Sequence, residues 1–408
     1  MTTAISLYSG AGGLDYGFEA ADFETRVCLD FDADSCATIR RSRPEWPVIE
    51  GDALKIPPER ILETARLSPG QADVLIGGPP CQPFSKSGFW HSGESRRLND
   101  PRSDTIGQYL DTVRLVQPRA LLFENVEGLG FSGKDEGLEF VREGLREINS
   151  SQGTNYQPVS TVLNASSYGV PQHRNRLFIV AARDGTRFRF PDQTHGDPAA
   201  SSDLKPWSTT WDALGDLDCE STDEALAPTG KWAELLPTIP EGQNYLFHTA
   251  RGGGEPLFGW RTRFWCFLLK LAKNQPSWTI QAQPGPATGP FHWRSRHLSM
   301  RELCRLQTFP DDVSIVGDRR SAQRQLGNAV PSLLAEVIAR EIRTQLLRLP
   351  PVEGAPKLLP HILARPIPSP ERPTQLPAKY RSLIGLHGEH PGTGLGPGAR
   401  ARKAASSS

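Results

Sequence analysis

Short apolar runs alternate with amphipathic stretches through the first 183 residues. Ile5-Ser6-Leu7-Tyr8, Val27-Cys28-Leu29, Val74-Leu75-Ile76, Ala120-Leu121-Leu122-Phe123 and Leu177-Phe178-Ile179-Val180 read as strands buried on both faces. Segments 14–21, 34–41, 104–116 and 136–148 read as helices between them. Strand–helix alternation predicts an α/β fold, a parallel, doubly wound, Rossmann-like sheet. From about 184 to 296 the pattern dissolves into Pro-, Gly- and Trp-rich chain with short strand candidates such as Trp278-Thr279-Ile280. Helical periodicity returns over 299–307 and 332–347. We therefore expect a first domain over 1–183, a smaller irregular domain over 184–296, and a return to the first domain over 297–348. The tail, 349–408, is Pro-rich, then Gly-rich, and ends in Ala399-Arg400-Ala401-Arg402-Lys403; it is expected to be extended or disordered.

Composition narrows the class. With 408 residues, 23% charged and 37% apolar, the chain has the make-up of a soluble globular protein. No apolar run approaches the ~18 residues of a membrane span; the most apolar stretch, 264–272, is interrupted by Lys270. The N-terminus has neither the basic nor the apolar region of a secretory signal. Cysteines 28, 36, 81, 219, 266 and 304 contain no C-x-x-C pair, which argues against zinc and against a disulfide scaffold. A reducing, cytoplasmic location beside the nucleoid is expected, with no membrane partner and no metal. Net charge is zero, but residues 184–249 carry 12 acidic against 4 basic side chains, and residues 251–305 carry 9 basic against 2 acidic. Such asymmetry suits a polyanion-binding surface, and equally a basic face balanced by an acidic neighbour.

The candidate chemistry begins at Gly77-Gly78-Pro79-Pro80-Cys81-Gln82-Pro83-Phe84-Ser85, directly after a strand. Glycine admits close backbone approach, and the prolines fix φ and withdraw amide donors, so the loop is stiff. A lone cysteine is more often a small buried hydrophobe, yet packing needs no such loop, and Cys81 reads as a presented thiol. Upstream, Ser9-Gly10-Ala11-Gly12-Gly13 follows a strand and opens a helix, bringing backbone amides toward a cofactor. It departs from G-x-G-x-x-G and no phosphate-binding lysine follows, which disfavours dinucleotides and a dehydrogenase. Asp30, ending the second strand, can accept from ribose hydroxyls; Asp52, ending the third, can accept from an adenine amino group. A nucleoside pocket without a pyrophosphate site fits S-adenosylmethionine.

Glu124, in Phe123-Glu124-Asn125-Val126-Glu127-Gly128, ends the strand expected beside that of Cys81, so thiol and carboxyl can converge, although a salt bridge or helix cap would explain it too. Gln172, Arg174 and Arg176 alternate with period two before the last strand and share a face; surface charge would explain them alone. Arg301-Glu302-Leu303-Cys304-Arg305-Leu306-Gln307 reads as a short helix, and Gln325-Leu326-Gly327-Asn328-Ala329-Val330-Pro331 as a turn before the last helix, where Asn328 can touch cofactor.

In this order, GGPPCQPFS, ENVEGL, QHRNR, RELCRLQTFP and GNAVP resemble the DNA (cytosine-5)-methyltransferase family, prokaryotic restriction-modification type, over roughly 4–183 and 275–348. The resemblance implies Cys81 as nucleophile, Glu124 as the acid that engages the ring, Arg176 as a base contact and Arg174 as its support. It implies an S-adenosylmethionine pocket of Tyr8, Gly10, Gly12, Asp30, Asp52, Pro80 and Asn328, and target recognition by 184–296. Ser85, Arg251, Arg261, Arg263, Arg294 and Arg296 are the expected DNA contacts, while Trp265, Trp278 and Trp293 are expected in the core. The family usually opens with Asp and Phe where this chain has Ser6 and Tyr8; tyrosine keeps an aromatic face for adenine. The implied activity is sequence-specific methylation of cytosine C5 in duplex DNA by a monomer, protecting a site shared with a cognate restriction endonuclease. Two alternatives are a tRNA methyltransferase on the same core, whose Cys-Phe-Thr signature does not occur here, and a catalytically silent DNA-binding module.

Overall fold

The computed structural model describes residues 2–80, 104–130, 136–197, 199–200, 203–218, 226–259, 264–360 and 366–386. Cys81, Ser85, Arg261 and Arg263 therefore lie outside the described residues. The apolar runs assemble one seven-stranded sheet of order β3-β2-β1-β4-β5-β7-β6. Strands β1 (Thr2–Leu7), β2 (Phe23–Asp30), β3 (Val48–Glu50), β4 (Val74–Gly77) and β5 (Ala120–Val126) pair in parallel. The central strands are apolar throughout because helices cover both faces. On one face, α3 (Pro58–Ala65), α4 (Asp104–Val116) and α5 (Glu136–Gln152) bury Ile61, Tyr109, Val113 and Leu145 against Leu75, Leu121 and Phe123. On the other, α1 (Gly13–Ala20) and α9 (Ser332–Glu341) bury Phe18, Leu334 and Ile338 against Ile76, Leu122 and Phe178. Gly17 lets those two helices touch, since a Cβ there would collide with Ala335. Helix α2 (Ala33–Ser42) follows β2.

The expected all-parallel order is corrected at one edge. Strand β7 (Asn175–Ala182) is antiparallel, inserted between β5 and β6 (Val159–Asn164). β6 carries no apolar run because, as an edge strand, it is mostly half-exposed. Beyond β7 come a small two-stranded element, β8 (His195–Gly196) with β9 (Lys205–Pro206), and then α6 (Thr210–Leu214), α7 (Met300–Leu306) and α8 (Arg319–Asn328). Trp278-Thr279-Ile280 forms no strand; only Ser277 makes an isolated bridge, to Gln172.

Within 184–296, Leu235, Leu236, Ile239, Tyr245, Leu257, Leu268 and Phe291 form a core of their own. Trp211, Leu214, Leu271 and Trp293 instead share a core with Tyr16, Ile39, Leu303 and Phe309. The described parts of the tail, 349–360 and 366–386, are extended, as one reading expected, and docked: Leu358 and Leu359 pack on the α9 face, and Arg340 donates to the carbonyls of Val352, Gly354 and Ala355. Residues 366–386 then lie along the irregular lobe. Tyr380, in the short helix α10 (Ala378–Arg381), is buried, stacks on Trp232 at 6.1 Å and donates to Lys231 O at 2.8 Å. Such packing is not available to a solvated coil.

Candidate active site

The sheet order reverses between β1 and β4, and the C-terminal ends of parallel strands at such a reversal form the ligand crevice. β1 leads into Tyr8-Ser9-Gly10, β2 ends at Asp30, β4 leads into Gly78-Pro79-Pro80, and β5 carries Glu124. The antiparallel register pairs Val126 with Arg176, which makes Arg176 the diagonal same-face neighbour of Glu124. The result is an ion pair of 2.9 Å from Arg176 Nε to Glu124 Oε1, with side chains only 12% and 10% exposed. Burial pushes the Glu124 carboxyl above the usual carboxylate range, against the opposing pull of Arg176 and Arg174. Burial likewise draws the Arg176 guanidinium down, opposed by Glu124.

Although Cys81 is outside the described residues, the chain entering it is fixed. Asn125 Nδ2 donates to Pro79 O at 3.0 Å, and Thr105 Oγ1 donates to Pro80 O at 3.3 Å. Pro80 is one peptide from Cys81, so their Cα atoms are about 3.8 Å apart. Gly78 is required by contact: a Cβ there would lie 2.7 Å from Glu124 Oε2. The strand of the thiol and the carboxyl are thus neighbours, as the sequence predicts. Asn125 and Thr105 were not singled out in the sequence, although Asn125 sits beside Glu124 and its amide is the natural partner for a proline-rich loop that lacks donors.

Arg174 is wholly buried and joins three parts of the chain. It donates from Nη1 to Ile280 O at 3.1 Å and from Nη2 to Gly327 O at 2.6 Å, while its Nε has no hydrogen-bond partner. Burial and the neighbouring Arg176 hold its guanidinium well below the ordinary value. Gln172 runs alongside, donating to Leu306 O and Gln307 Oε1 and accepting from Ile280 N. These two side chains fasten the return from the irregular lobe, and the end of α8, to the catalytic strand. The shared face expected for Gln172, Arg174 and Arg176 is present, but only Arg176 reaches Glu124.

At the other end of the crevice, Asp30 accepts from Gly10 N at 2.8 Å and from Asp32 N at 2.9 Å. Burial raises its pKa, and those two donors oppose the rise. Gly10 has φ +54° and open space where a Cβ would stand; Gly12 has φ +88° and caps α1. Tyr8 donates to Thr105 O at 3.0 Å, so the hydroxyl that phenylalanine would lack ties the glycine loop to the residue that holds Pro80. Burial, then the charges of Asp52 and Asp30, raise the Tyr8 pKa, which places all three together. Asp52 also caps the turn Ala53–Lys55 and is half-exposed. Asn328 is exposed at the end of α8, next to the Gly327 carbonyl held by Arg174. Phe31, unremarked in the sequence, follows Asp30 and is 70% exposed, an aromatic face on which no ring stacks among the described residues. The open cradle over Gly10, the carboxylates and the bare aromatic fit an adenosyl group.

Two expected DNA contacts need correction. Arg296 is buried and bidentate on Glu302, at 2.8 and 2.7 Å, where it backs the capping box of α7. Arg294 sets its fork on Asp218 at 2.6 and 3.1 Å. Lys273 pairs with Glu241 and Arg305 with Asp216, so much of the positive charge is matched by the acidic stretch before it. Of the three tryptophans expected in the core, only Trp293 is there; Trp265 and Trp278 are exposed. Among the described residues no cluster of His, Cys, Asp or Glu is arranged to hold a metal, and no helix is long and apolar enough to cross a membrane.

A reversal-point crevice with an adenosyl cradle at one end and the anchored Gly78-Pro79-Pro80 segment beside a buried glutamate at the other defines an S-adenosylmethionine-dependent methyltransferase. Solved structures agree on the fold: the DNMT2 triple mutant of Spodoptera frugiperda has a TM-score of 0.57 at 16% identity, covering 84% of this chain and 99% of that one. The Entamoeba histolytica methyltransferase EhMeth also has 0.57, at 14% identity, covering 85% and 99%. Residues 2–344 match the C-5 cytosine-specific DNA methylase family, and the chain belongs to it. It is 39% identical to the Type II methyltransferase M.SacI of Streptomyces achromogenes, over 84% of this chain and 93% of the relative. It is 32% identical to M.NgoFVII of Neisseria gonorrhoeae over 83% and 85%. The protein is a DNA (cytosine-5)-methyltransferase that uses S-adenosylmethionine, and its relatives favour DNA over tRNA as the substrate.

Proposed function

We propose that the chain methylates one cytosine within a specific duplex sequence through a covalent bond between Cys81 and cytosine C6. The observation that carries this reading is the Glu124–Arg176 pair packed against Gly78, directly before Pro79 and Pro80, which Asn125 and Thr105 hold. Cytosine C5 is too weak a nucleophile to attack a methyl sulfonium unaided. Addition of the Cys81 thiolate to C6 breaks the aromatic system and gives C5 enamine character. Charge building at N3 and O2 is met by a proton from Glu124, kept on the carboxyl by burial, and by hydrogen bonds from Arg176. S-adenosylmethionine supplies an electrophilic methyl group to C5. Loss of the C5 proton and departure of the Cys81 sulfur then restore the ring. Because the ring faces are stacked in a duplex, the cytosine must be extruded, at a cost of a few kcal/mol.

In this reading Tyr8, Gly10, Gly12, Asp30, Asp52, Pro80 and Asn328 hold the cofactor, with Phe31 stacking on adenine. Residues 184–296 choose the site, with Ser85, Arg261 and Arg263 on DNA. Arg174 positions the recognition return and the Gly327-Asn328 turn. The Type II designations of M.SacI and M.NgoFVII support a role opposite a restriction endonuclease, and in this reading the enzyme acts as a monomer in the cytoplasm. Bisulfite sequencing of DNA from cells expressing the protein will show full conversion of one cytosine context to a protected base. The Cys81→Ala variant should lose that protection while keeping its affinity for S-adenosylmethionine. Protection by the variant would remove the thiol from the mechanism.

A further inference from the structure

Two tryptophans stand exposed in contact on the irregular lobe, Trp265 at 43% and Trp278 at 42%, and Phe264, next to Trp265 in the chain, is 50% exposed. Trp265 and Trp278 meet edge to face at 5.6 Å and 74°. Behind them stands His173, 5.6 Å from the Trp278 ring and 5.0 Å from Trp207. His173 is itself fixed, by Ser166 Oγ at 2.9 Å on Nδ1, by Ser277 O at 2.7 Å on its amide, and by Thr279 Oγ1 at 2.7 Å on its carbonyl. The ridge is therefore rigid, aromatic and backed from within. An exposed cluster of this kind marks a contact surface.

Its position says with what. His173 belongs to the segment that carries Arg174 and Arg176, and three residues of chain span at most about 10 Å. That length corresponds to about three base steps of duplex, at about 3.4 Å each. Because Arg176 pairs with Val126 at the end of β5, the chain before it, and the ridge packed on His173, lie beyond the same sheet edge that carries Glu124. With Arg294 and Arg296 held by Asp218 and Glu302, apolar contact rather than those two charges is what this part of the lobe offers.

We propose that Trp265 and Trp278 form an aromatic wall that packs against the base and sugar of the nucleotide flanking the extruded cytosine, holding the opened duplex beside the pocket. Aromatic faces serve this purpose because every base and sugar presents apolar surface once its neighbour has left the stack. This rests on the duplex-DNA reading above, and the two are separable: methylation of the mapped site by the wild-type chain tests that reading alone.

On a duplex carrying the mapped site, the double variant Trp265→Ala/Trp278→Ala of the full chain should raise KM for DNA by about tenfold or more, with a smaller change in kcat. Its affinity for S-adenosylmethionine and its melting temperature should match wild type. Trp278→Phe should recover most of the loss. 5-Iodouracil placed within three nucleotides of the target should, on irradiation, cross-link to the peptide bearing Trp265 or Trp278. An unchanged KM overturns the proposal, as do cross-links only to other peptides. A parallel fall in melting temperature and cofactor affinity also overturns it, by showing that the pair serves only the folding of the lobe.

Discussion

Glu124 shows how one residue acquires a function from its surroundings. In the sequence it is a carboxylate at a strand end; in the fold it is an acid whose burial outweighs two cations. Glu124→Gln keeps a hydrogen-bonding partner for Arg176 but cannot deliver a proton. Single-turnover methyl transfer should fall about 10²–10⁴-fold, with DNA and cofactor affinity retained. In the proposed mechanism the protonated form is the working one, so the wild-type rate should be level below the raised pKa and decline as pH climbs through it. A variant that kept both the rate and the decline would assign the proton to another group. Arg296 teaches the opposite lesson. Its type and neighbourhood suggested DNA, yet Glu302, six residues away, takes both arms of its guanidinium.

At the scale of elements, the apolar runs located β1, β2, β4, β5 and β7 because strands buried on both faces tolerate little else. The same criterion missed β6, whose outer residues meet water. The antiparallel direction of β7 was also not legible, since periodicity carries no sign, and yet that direction sets Arg176 diagonal to Glu124. The stretch 325–331, read as a turn, turned out to close α8 and then open α9, with Gly327 too tightly packed on Gln281 and Ala282 for any side chain. Gly78 is the comparable contact in the catalytic loop. Gly78→Ala should push the Glu124 carboxylate off Arg176 and reduce kcat by about 10- to 100-fold, the usual effect of a small misplacement. Its thermal unfolding should move little, as the displaced atom ends a flexible side chain. A variant with normal turnover would mean that the loop has room the geometry denies.

For the whole molecule, the docking of the described tail residues is what the sequence left unread. The family match ends at residue 344, and the chain continues across the α9 face to the irregular lobe. There Thr374 N donates to Pro237 O, Glu371 and Glu241 both meet Lys273, and Leu376, Tyr380 and Leu383 pack against the lobe core. Ending the chain after Pro360 should speed proteolysis within 232–291 and weaken DNA binding, while leaving cofactor affinity in place. Tyr380→Ala alone should cost that lobe about 3 kcal/mol, as for other buried aromatics. Identical proteolysis patterns with and without the segment would reduce it to a passive appendage.

The sequence by itself determined the class of sheet, the order of the chemical blocks and the candidate groups for the proposed chemistry. Those follow from local rules: apolar runs report burial, glycine and proline report loop shape, and side-chain type reports available protons and charge. Tertiary structure alone decided the partnerships: Asn125 with Pro79, Tyr8 with Thr105, Arg174 with Ile280 and Gly327, Arg294 with Asp218, and Tyr380 with Trp232. Each joins residues distant in sequence, and a charge or an aromatic ring has many possible mates along a chain. Which one it meets is settled only when the packed backbone brings two atoms within a few ångströms and excludes the water that would otherwise compete for them.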